Sequence, residues 1–468
     1  METGSPVTPS VTGSPSFSAS APSLTRQTLT QSMIGLAVPA VVENLLQTLV
    51  FLVDTLLIGW LKDPATLAAV SLASLFLNTA NQIFAAVAIT ATSLVAHAWG
   101  AGEFERARRT AAQALSVSVG LAVVSTIVLW PAARPLMTMM GTSERAIDLG
   151  TLYMQTILVT SVLSFPMLVL NGVLRGSGDT RTPMAVAAAM NVINVIGASV
   201  LVFGLGPFPA MGLQGAAIAT AGARLIGGLL SLALVMSGKR FLALSWRDVL
   251  RVDLALARRM LSLSLPTAGE TVLMRLGFML FIRIVSGLGE ASLAANQLAV
   301  NVESLSFMPG LGLSVASTTL VGQSLGARRP DLAEETVRIA LRLSMLVMGL
   351  LSIVFALWGP AIVALFGSTP EVSYLAGRAV RLSALEQLSI AAQMVIAGSM
   401  RGAGDMRTPV VATLIGTFAV RVPLVYWLAV TLGWGLDGVW IGTAVDWGIR
   451  GALLYLLFRR GDWKRAWM

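Results

Sequence analysis

Four positions on one face of the first long apolar segment have residue types that could bind and release a cation. They follow one another at intervals of four, four and seven residues, and they are Pro39, Glu43, Gln47 and Asp54. Such intervals bring side chains to the same side of a helix. A carboxyl group at Asp54, away from bulk water, could take up a proton on one side of a membrane and release it on the other. An Asp that only stabilises helix packing is the alternative.

Pro39 lies fifteen residues before that carboxyl group. Proline lacks a backbone N–H, and its ring clashes with the preceding turn of a helix. We therefore expect the first helix to bend near its start, with the bend on the same face as Asp54.

Neutral polar residues in later segments could complete a cation site around Asp54. Asn191 and Asn194 share one face of the fifth apolar segment, and Thr220 lies in the sixth. Their groups could donate hydrogen bonds to the carboxylate or supply oxygen ligands to Na⁺. Hydrogen bonds that only join helices are the alternative role.

Five residues in the second half form a candidate substrate cleft, and they are Glu270, Met274, Arg275, Glu303 and Glu386. Acidic groups in a cleft would attract cationic, lipophilic compounds, and methionine gives an adaptable binding wall. A structural role is the alternative, because Glu270 lies five residues before Arg275 and the two could form an ion pair on one helix. Asp446 lies four residues before Arg450, and this spacing predicts an ion pair on one helix.

The composition excludes several chemistries and places these residues in a membrane. Cysteine is absent and there is one histidine, which excludes disulfides, thiolate chemistry and His/Cys metal sites. Of the 468 residues, 55% are hydrophobic and 12% are charged, about half the charged share of a soluble protein. The apolar residues occur in twelve segments, each long enough to cross a bilayer, which takes ~20 residues. We therefore predict an all-α polytopic membrane protein with twelve transmembrane helices.

The positive charges predict the orientation of these helices. About 21 of the 32 Lys and Arg residues fall in loops or tails on one side, whereas Lys62, Arg134 and Arg145 fall on the other side and the remaining 8 lie within the spans. The positive-inside rule then predicts that both termini are cytoplasmic. The net charge of +9 marks a cytoplasmic face that contacts anionic membrane lipids, and we expect no binding to nucleic acid.

The sequence repeats itself at an offset of 226–227 residues. The segment 171–183 returns as 397–409, and Pro39 and Glu43 return as Pro266 and Glu270. Because each half holds six segments, both halves enter the membrane in the same direction. This predicts two parallel six-helix lobes related by a pseudo-two-fold axis along the membrane normal, an arrangement typical of transporters.

These patterns divide the chain into five predicted parts: a disordered cytoplasmic tail (1–32), an N-lobe of helices one to six (33–237), a basic cytoplasmic linker (238–259), a C-lobe of helices seven to twelve (260–458) and a cytoplasmic C-terminal tail (459–468). The first tail is rich in Ser, Thr, Pro and Gly, a composition typical of disordered segments. It has neither the basic start nor the apolar run of a signal peptide.

The chain resembles the multidrug and toxic compound extrusion family of the multidrug/oligosaccharidyl-lipid/polysaccharide exporter superfamily. The resemblance is carried by the segment 39–55, by the two Arg-Gly-x-Gly-Asp-x-Arg-Thr-Pro loops at 175–183 and 401–409, and by the segment 307–327. The second half looks most like the branch named for DNA-damage-inducible protein F. The resemblance implies a twelve-helix antiporter that exports toxic compounds against an inward flow of protons or sodium.

In many members of that family, an Asp in the first helix, fifteen residues after a Pro, binds the coupling cation, and Asp54 matches it. The resemblance also implies that protonation of this Asp changes the helix bend at Pro39. The chain departs from the family where an Asp often lies four residues after the fifth-helix Asn, because Ala198 occupies that position. In the sodium-driven branch of the family, the seventh helix has an acidic residue at a position that corresponds to one near Met274, so Glu270 does not match it. These departures favour protons over sodium, with Na⁺ at Asp54 as the alternative.

We therefore predict a secondary active multidrug antiporter and not an enzyme. It would export lipophilic, often cationic drugs in exchange for inward H⁺ as its two lobes rock. We expect it to need no cofactor and to be a monomer in the cytoplasmic (inner) membrane. The alternative within the superfamily is a flippase for lipid-linked oligosaccharides, which Arg275 and Arg421 leave open because such proteins have a basic cavity.

Overall fold

The computed structural model describes residues 26–141, 143–238 and 244–465, and these fold into twelve helical spans. The spans of the first half are α1 (Arg26–Gly59), α2 (Pro64–Gly100), α3 (Phe104–Thr138), α4 (Glu144–Val159 and Ser161–Gly176), α5 (Arg181–Phe203) and α6 (Gly212–Met236). Those of the second half are α7 (Leu254–Ser286), α8 (Glu290–Gly326), α9 (Pro330–Ala364), α10 (Pro370–Ser383 and Gln387–Gly402), α11 (Arg407–Thr431) and α12 (Gly435–Arg460).

Nine of the described helices are long and apolar enough to cross a membrane by themselves, and the two segments of α4 form a tenth span with a 60° bend. The remaining spans are α7 and α10. Glu270, Arg275 and Arg283 lower the hydropathy of α7, and α10 is interrupted at 384–386. The predicted all-α membrane fold is confirmed.

Three predicted boundaries need correction. The sequence predicts a first tail at 1–32, but α1 is already helical at Arg26; residues 1–25 lie outside the described ranges. The linker at 238–259 contains a short helix, Trp246–Leu250, and the first turns of α7. The tail at 459–468 begins inside α12, and Trp463 packs on Phe458. Hydropathy locates only the apolar part of each helix, whereas polar turns continue beyond it.

The linker is attached to the N-lobe by a side chain of α3. The Gln113 amide donates to the backbone oxygens of Asp248 (3.3 Å) and Arg251 (2.6 Å) and accepts from the Asp253 N–H (2.9 Å). One residue thus satisfies three backbone groups between the short helix and α7, groups that would otherwise lack partners at helix ends.

The two halves repeat in three dimensions. Thr92 of α2 donates a hydrogen bond to the Gly172 oxygen of α4 at 2.8 Å. Thr318 of α8 donates to the Gly398 oxygen of α10, also at 2.8 Å. Both residues of the second bond follow their counterparts by the offset of the sequence repeat, so each lobe is held together by the same contact.

The lobes meet where α2 and α8 cross at their C-terminal ends, on the face of the molecule where α1 begins and α12 ends. We call this contact the seam; it is formed by Ser93, His97, Gly100, Thr319, Gln323 and Gly326. A Cβ on Gly100 would lie 1.9 Å from the Gln323 oxygen, and one on Gly326 would lie 2.0 Å from the His97 oxygen. Each glycine therefore admits the backbone of the other lobe, and the two contacts are equivalent across the pseudo-two-fold axis.

Gly326→Ala should separate the lobes at the seam. The added methyl group meets backbone atoms that are unable to rotate away, and overpacking of this kind costs ~1–3 kcal/mol. We expect a lower midpoint of thermal unfolding in detergent. Gly120→Ala in α3 is the matched control, because its Cβ meets nothing within 4 Å, and alanine favours a helix. Equal midpoints for the two variants would contradict the described contact.

Candidate cation-coupling site

Asp54 lies at the start of a hydrogen-bond chain that joins three helices of the N-lobe. Its Oδ2 accepts from the Thr220 hydroxyl of α6 at 2.9 Å, and that hydroxyl accepts from the Asn194 amide of α5 at 3.0 Å. All three side chains are buried, and that of Asp54 is 6% exposed. The structure thus brings together three of the predicted coupling residues.

Asp54 also lines a cavity of about 340 Å³ inside the N-lobe. The predicted residues Gln47 and Asn191 line it as well. Its other polar lining residues are Ser74, Asn78, Asn81, Gln82, Tyr153, Ser164, Asn171 and Arg224. At ~30 Å³ per molecule, this volume has room for on the order of ten waters.

Sequence reasoning missed most of these other residues as site residues. A usable signal was present in α2, where Ser74, Asn78, Asn81 and Gln82 recur at the three- and four-residue spacing of one helix face. Asn171 gave no such signal, because it is a lone polar residue in an apolar stretch of α4, and Tyr153 lies two residues from both Thr151 and Gln155, a spacing that does not share a helix face.

Buried oxygen atoms without hydrogen-bond partners surround the carboxyl group. They are Oδ1 of Asp54, Oδ1 of Asn191 and Oδ1 of Asn194. Buried polar atoms without a partner are costly, so this group is suited to receive a proton, water or a cation. Arg224 on the cavity wall supplies an opposite charge that acts on Asp54.

Ala198 bears on which cation fits. It is fully buried and packs with Leu57 and Ala219 in an apolar cluster beside the site. The position that often holds a second carboxylate in the related family therefore contributes no oxygen. Within the described ranges, no group of three or more His, Cys, Asp or Glu residues could hold a metal ion.

Glu43 does not join the Asp54 hydrogen-bond chain, although the sequence predicts it as a coupling residue. It is fully buried, and its Oε1 accepts from Arg175 at 2.5 Å and from Asn171 at 3.5 Å. Pro39 lies inside the continuous helix α1, and the predicted bend there stays a prediction.

The predicted substrate cleft is not assembled as a single site. None of its five residues lines the N-lobe cavity. Glu270 pairs with Arg401 at 2.9 Å and not with Arg275, because five residues turn a helix by about 500° and leave the two side chains on different faces. The Sδ atom of Met274 accepts a hydrogen bond from the Thr417 hydroxyl at 3.2 Å.

Glu303 and Glu386 are buried inside the C-lobe, 7% and 0% exposed, and their carboxyl groups are neighbours. Asp446 lies in the same region, and its predicted ion pair with Arg450 is confirmed by a 2.7 Å bond from Nε to Oδ1. Arg421 forms a second ion pair with Asp446 at 2.7 Å.

Two π-helical segments in α11, Ile415–Arg421 and Trp427–Thr431, shape this cluster. A Cβ on Gly416 would lie 2.1 Å from Nε of Arg450, so glycine makes room for the guanidinium group. The guanidinium groups of Arg421 and Arg450 lie 5.4 and 5.0 Å from the centre of the Trp447 ring. π-helical turns are frequently found at functional sites, and the sequence pattern gave no sign of them.

Comparison with known proteins identifies the family. The MatE family model matches residues 39–200 and 266–427. This chain belongs to the MatE family. Members of this family are transporters and not enzymes, which confirms the predicted family resemblance and the prediction that the protein is not an enzyme. The two matched segments are offset by 227 residues, so each lobe is one copy of the family's unit.

Relatives of this MatE protein extend over nearly its whole length. A Thermotoga maritima protein described as "Probable multidrug resistance protein NorM" is 30% identical, and the alignment covers 93% of each chain. A MATE crystal structure in the straight conformation has a TM-score of 0.87 at 23% identity, covering 93% of this chain and 97% of the other. An outward-facing MATE family transporter has a TM-score of 0.86 at 22% identity, with coverages of 94% and 97%. These likenesses confirm the twelve-helix, two-lobe fold.

Proposed function

We propose that this MatE protein exports lipophilic, often cationic compounds in exchange for inward-moving protons. The observation that carries the proposal is the buried Asp54 carboxyl group, with one oxygen bonded through Thr220 to Asn194 and the other unpartnered beside a polar cavity. The similarity to a relative described as a probable multidrug resistance protein supports the substrate class.

The proposed cycle uses Asp54 as the coupling group. Its carboxylate takes a proton from the outside, which removes the negative charge next to Arg224 and changes its hydrogen bonding with Thr220. The bend of α1 at Pro39 then shifts, the compound leaves, and the lobes rock inward about the pseudo-two-fold axis. The proton departs to the cytoplasm, and a new compound binds.

Protons are favoured over Na⁺ by the number of oxygen atoms at the site. A hard cation is held by several oxygen ligands, whereas the N-lobe cavity offers the single carboxylate of Asp54 beside neutral polar groups and Arg224, with Ala198 at the position of the second carboxylate. A proton requires only the single carboxyl group of Asp54. Na⁺ at Asp54 is the alternative coupling ion.

We further propose that the protein is a monomer in the cytoplasmic membrane with both termini cytoplasmic, as the distribution of Lys and Arg predicts. A lipid-linked oligosaccharide flippase is disfavoured by the contacts of Arg421. This residue is paired with Asp446 inside the C-lobe and does not line the N-lobe cavity.

The test uses purified protein in proteoliposomes, with export of ethidium or norfloxacin measured under imposed gradients. A pH gradient alone should drive export, and a sodium gradient alone at constant pH should drive little. Export driven by sodium at constant pH would replace H⁺ by Na⁺ as the coupling ion. Movement of a fluorescent lipid-linked oligosaccharide, without export of either compound, would support the flippase.

A further inference from the structure

Glu43 is a buried carboxylate between the N-lobe cavity and the seam. It is 0% exposed, and Arg175, its ion-pair partner at the C-terminal end of α4, has a side chain that is 20% exposed. Its Oε2 is buried and has no hydrogen-bond partner among the residues that the structure describes. The proposed function gives this carboxylate no role.

On one side, Glu43 is connected to the cavity that holds Asp54. Asn171 lines that cavity and donates to Oε1 of Glu43 at 3.5 Å. Gln47, one turn further along α1, also lines the cavity. Asp54 lies eleven residues from Glu43, about 16 Å along the helix axis, and the cavity extends over part of that distance.

On the other side, the helix end that carries Arg175 is bonded across the seam. The Arg175 backbone oxygen accepts from the Thr319 hydroxyl at 3.0 Å, and the Gly176 oxygen accepts from the Gln323 amide at 3.0 Å. Both donors belong to α8 of the C-lobe. The position of this end of α4 is therefore set by Glu43 within the N-lobe and by α8 across the interface.

We propose that Glu43 is a second proton carrier whose protonation opens the seam. The proton leaves the Asp54 carboxyl group, crosses the cavity through water and binds Oε2 of Glu43. The neutral carboxyl group releases Arg175, the end of α4 moves, and its bonds to Thr319 and Gln323 break. The proton then passes to water at the opened face, which restores the Glu43 carboxylate and the ion pair. This inference rests on the proposed proton coupling and names how the proton opens the inner side.

The C-lobe contains an equivalent ion pair without a proton site. Glu270 and Arg401 are the repeat counterparts of Glu43 and Arg175 and pair at 2.9 Å. The counterpart of Asn171 is Ala397, and the position corresponding to Asp54 holds Phe281, both buried among apolar residues. The C-lobe pair thus has the same structural contact but lacks the side chains that connect it to a polar cavity.

Other charged or titratable groups occur on the helices packed against α1. They are His97 on α2, Arg181 on α5, Arg224 on α6, Glu290 and Glu303 on α8, and Asp331, Glu334, Glu335, Arg338 and Arg342 on α9. Arg175 is the charged group that contacts the Glu43 carboxylate. His97 lies in the seam and carries a titratable imidazole, so the experiment has to remove it.

The test measures how fast a thiol-reactive reagent labels a buried cysteine introduced in the seam. The sequence has no cysteine, so Ser93→Cys supplies a single thiol, at a residue that is 0% exposed and bonds to the Gly402 oxygen across the seam at 3.0 Å. His97→Gln is included in every protein, because the repeat already has Gln at 323. Labelling rates in nanodiscs are divided by those of an exposed cysteine, Leu250→Cys.

In this background, the normalised rate should rise about fivefold or more from about pH 8 to about pH 5, as the open seam becomes populated. Glu43→Gln should label fast at both pH values, whereas Glu43→Asp and the matched control Glu270→Gln should keep the pH dependence. If Glu43→Gln fails to fold, Asn171→Ala provides the test; it copies the C-lobe residue, keeps the ion pair and should lose most of the pH dependence.

A pH dependence that survives in Glu43→Gln or in Asn171→Ala, or one that is lost in Glu270→Gln, would overturn the proposal. The proposed function fails on a different measurement, which is proton-driven export in proteoliposomes. The two failures are therefore distinguishable.

Discussion

Asp54→Asn should reduce proton-driven export by about tenfold or more while leaving compound binding nearly unchanged. Asparagine keeps the size of the side chain and can still accept a hydrogen bond from Thr220, but it has no group that takes up a proton. The change therefore removes the proposed coupling step and preserves the fold around it. Export in proteoliposomes under a pH gradient, together with equilibrium binding of ethidium, measures both effects.

Asp148→Asn is the matched control for that experiment. It makes the same chemical change at a residue that is 60% exposed and paired on the surface with Arg134. Export by the control should equal that of the parent protein. If Asp54→Asn exports as fast as the parent under the same gradient, Asp54 is not the coupling residue.

Asp446→Asn should destabilise the protein more strongly than Gly326→Ala does at the seam. Asp446 is fully buried and accepts ion pairs from Arg421 and Arg450. Removal of its charge leaves two guanidinium groups unpaired inside the C-lobe, and breaking a buried pair costs ~3–5 kcal/mol. Denaturation in mixed micelles should show a correspondingly lower free energy of unfolding.

Asp331→Asn is the control for that loss, because its ion pair with Arg329 lies on the surface with both side chains more than half exposed. Surface pairs contribute little to stability, so the control should unfold like the parent. A small effect of Asp446→Asn would show that the cluster retains its charge balance through other groups.

The sequence predicted the parts of the site that depend on one helix at a time. Asp446 and Arg450 were paired correctly because their four-residue spacing fixes them on one face whatever surrounds the helix. The group of Asp54, Asn194 and Thr220 was predicted because ionisable and amide groups are rare in apolar spans and must find one another. Glu270 was assigned the wrong neighbour because its partner lies 131 residues away, in α10.

The sequence by itself determined that the chain crosses a membrane twelve times in two parallel halves, because hydropathy and the repeat are properties of consecutive residues. Only the tertiary structure decided which carboxylates face the cavity, which are neutralised by arginine and which remain without partners. Those outcomes depend on contacts between distant helices, and several partners were compatible with the same local pattern. The interiors of α1 and α7 illustrate the difference: equivalent glutamates form equivalent ion pairs, but Asn171 connects only the first to the polar cavity.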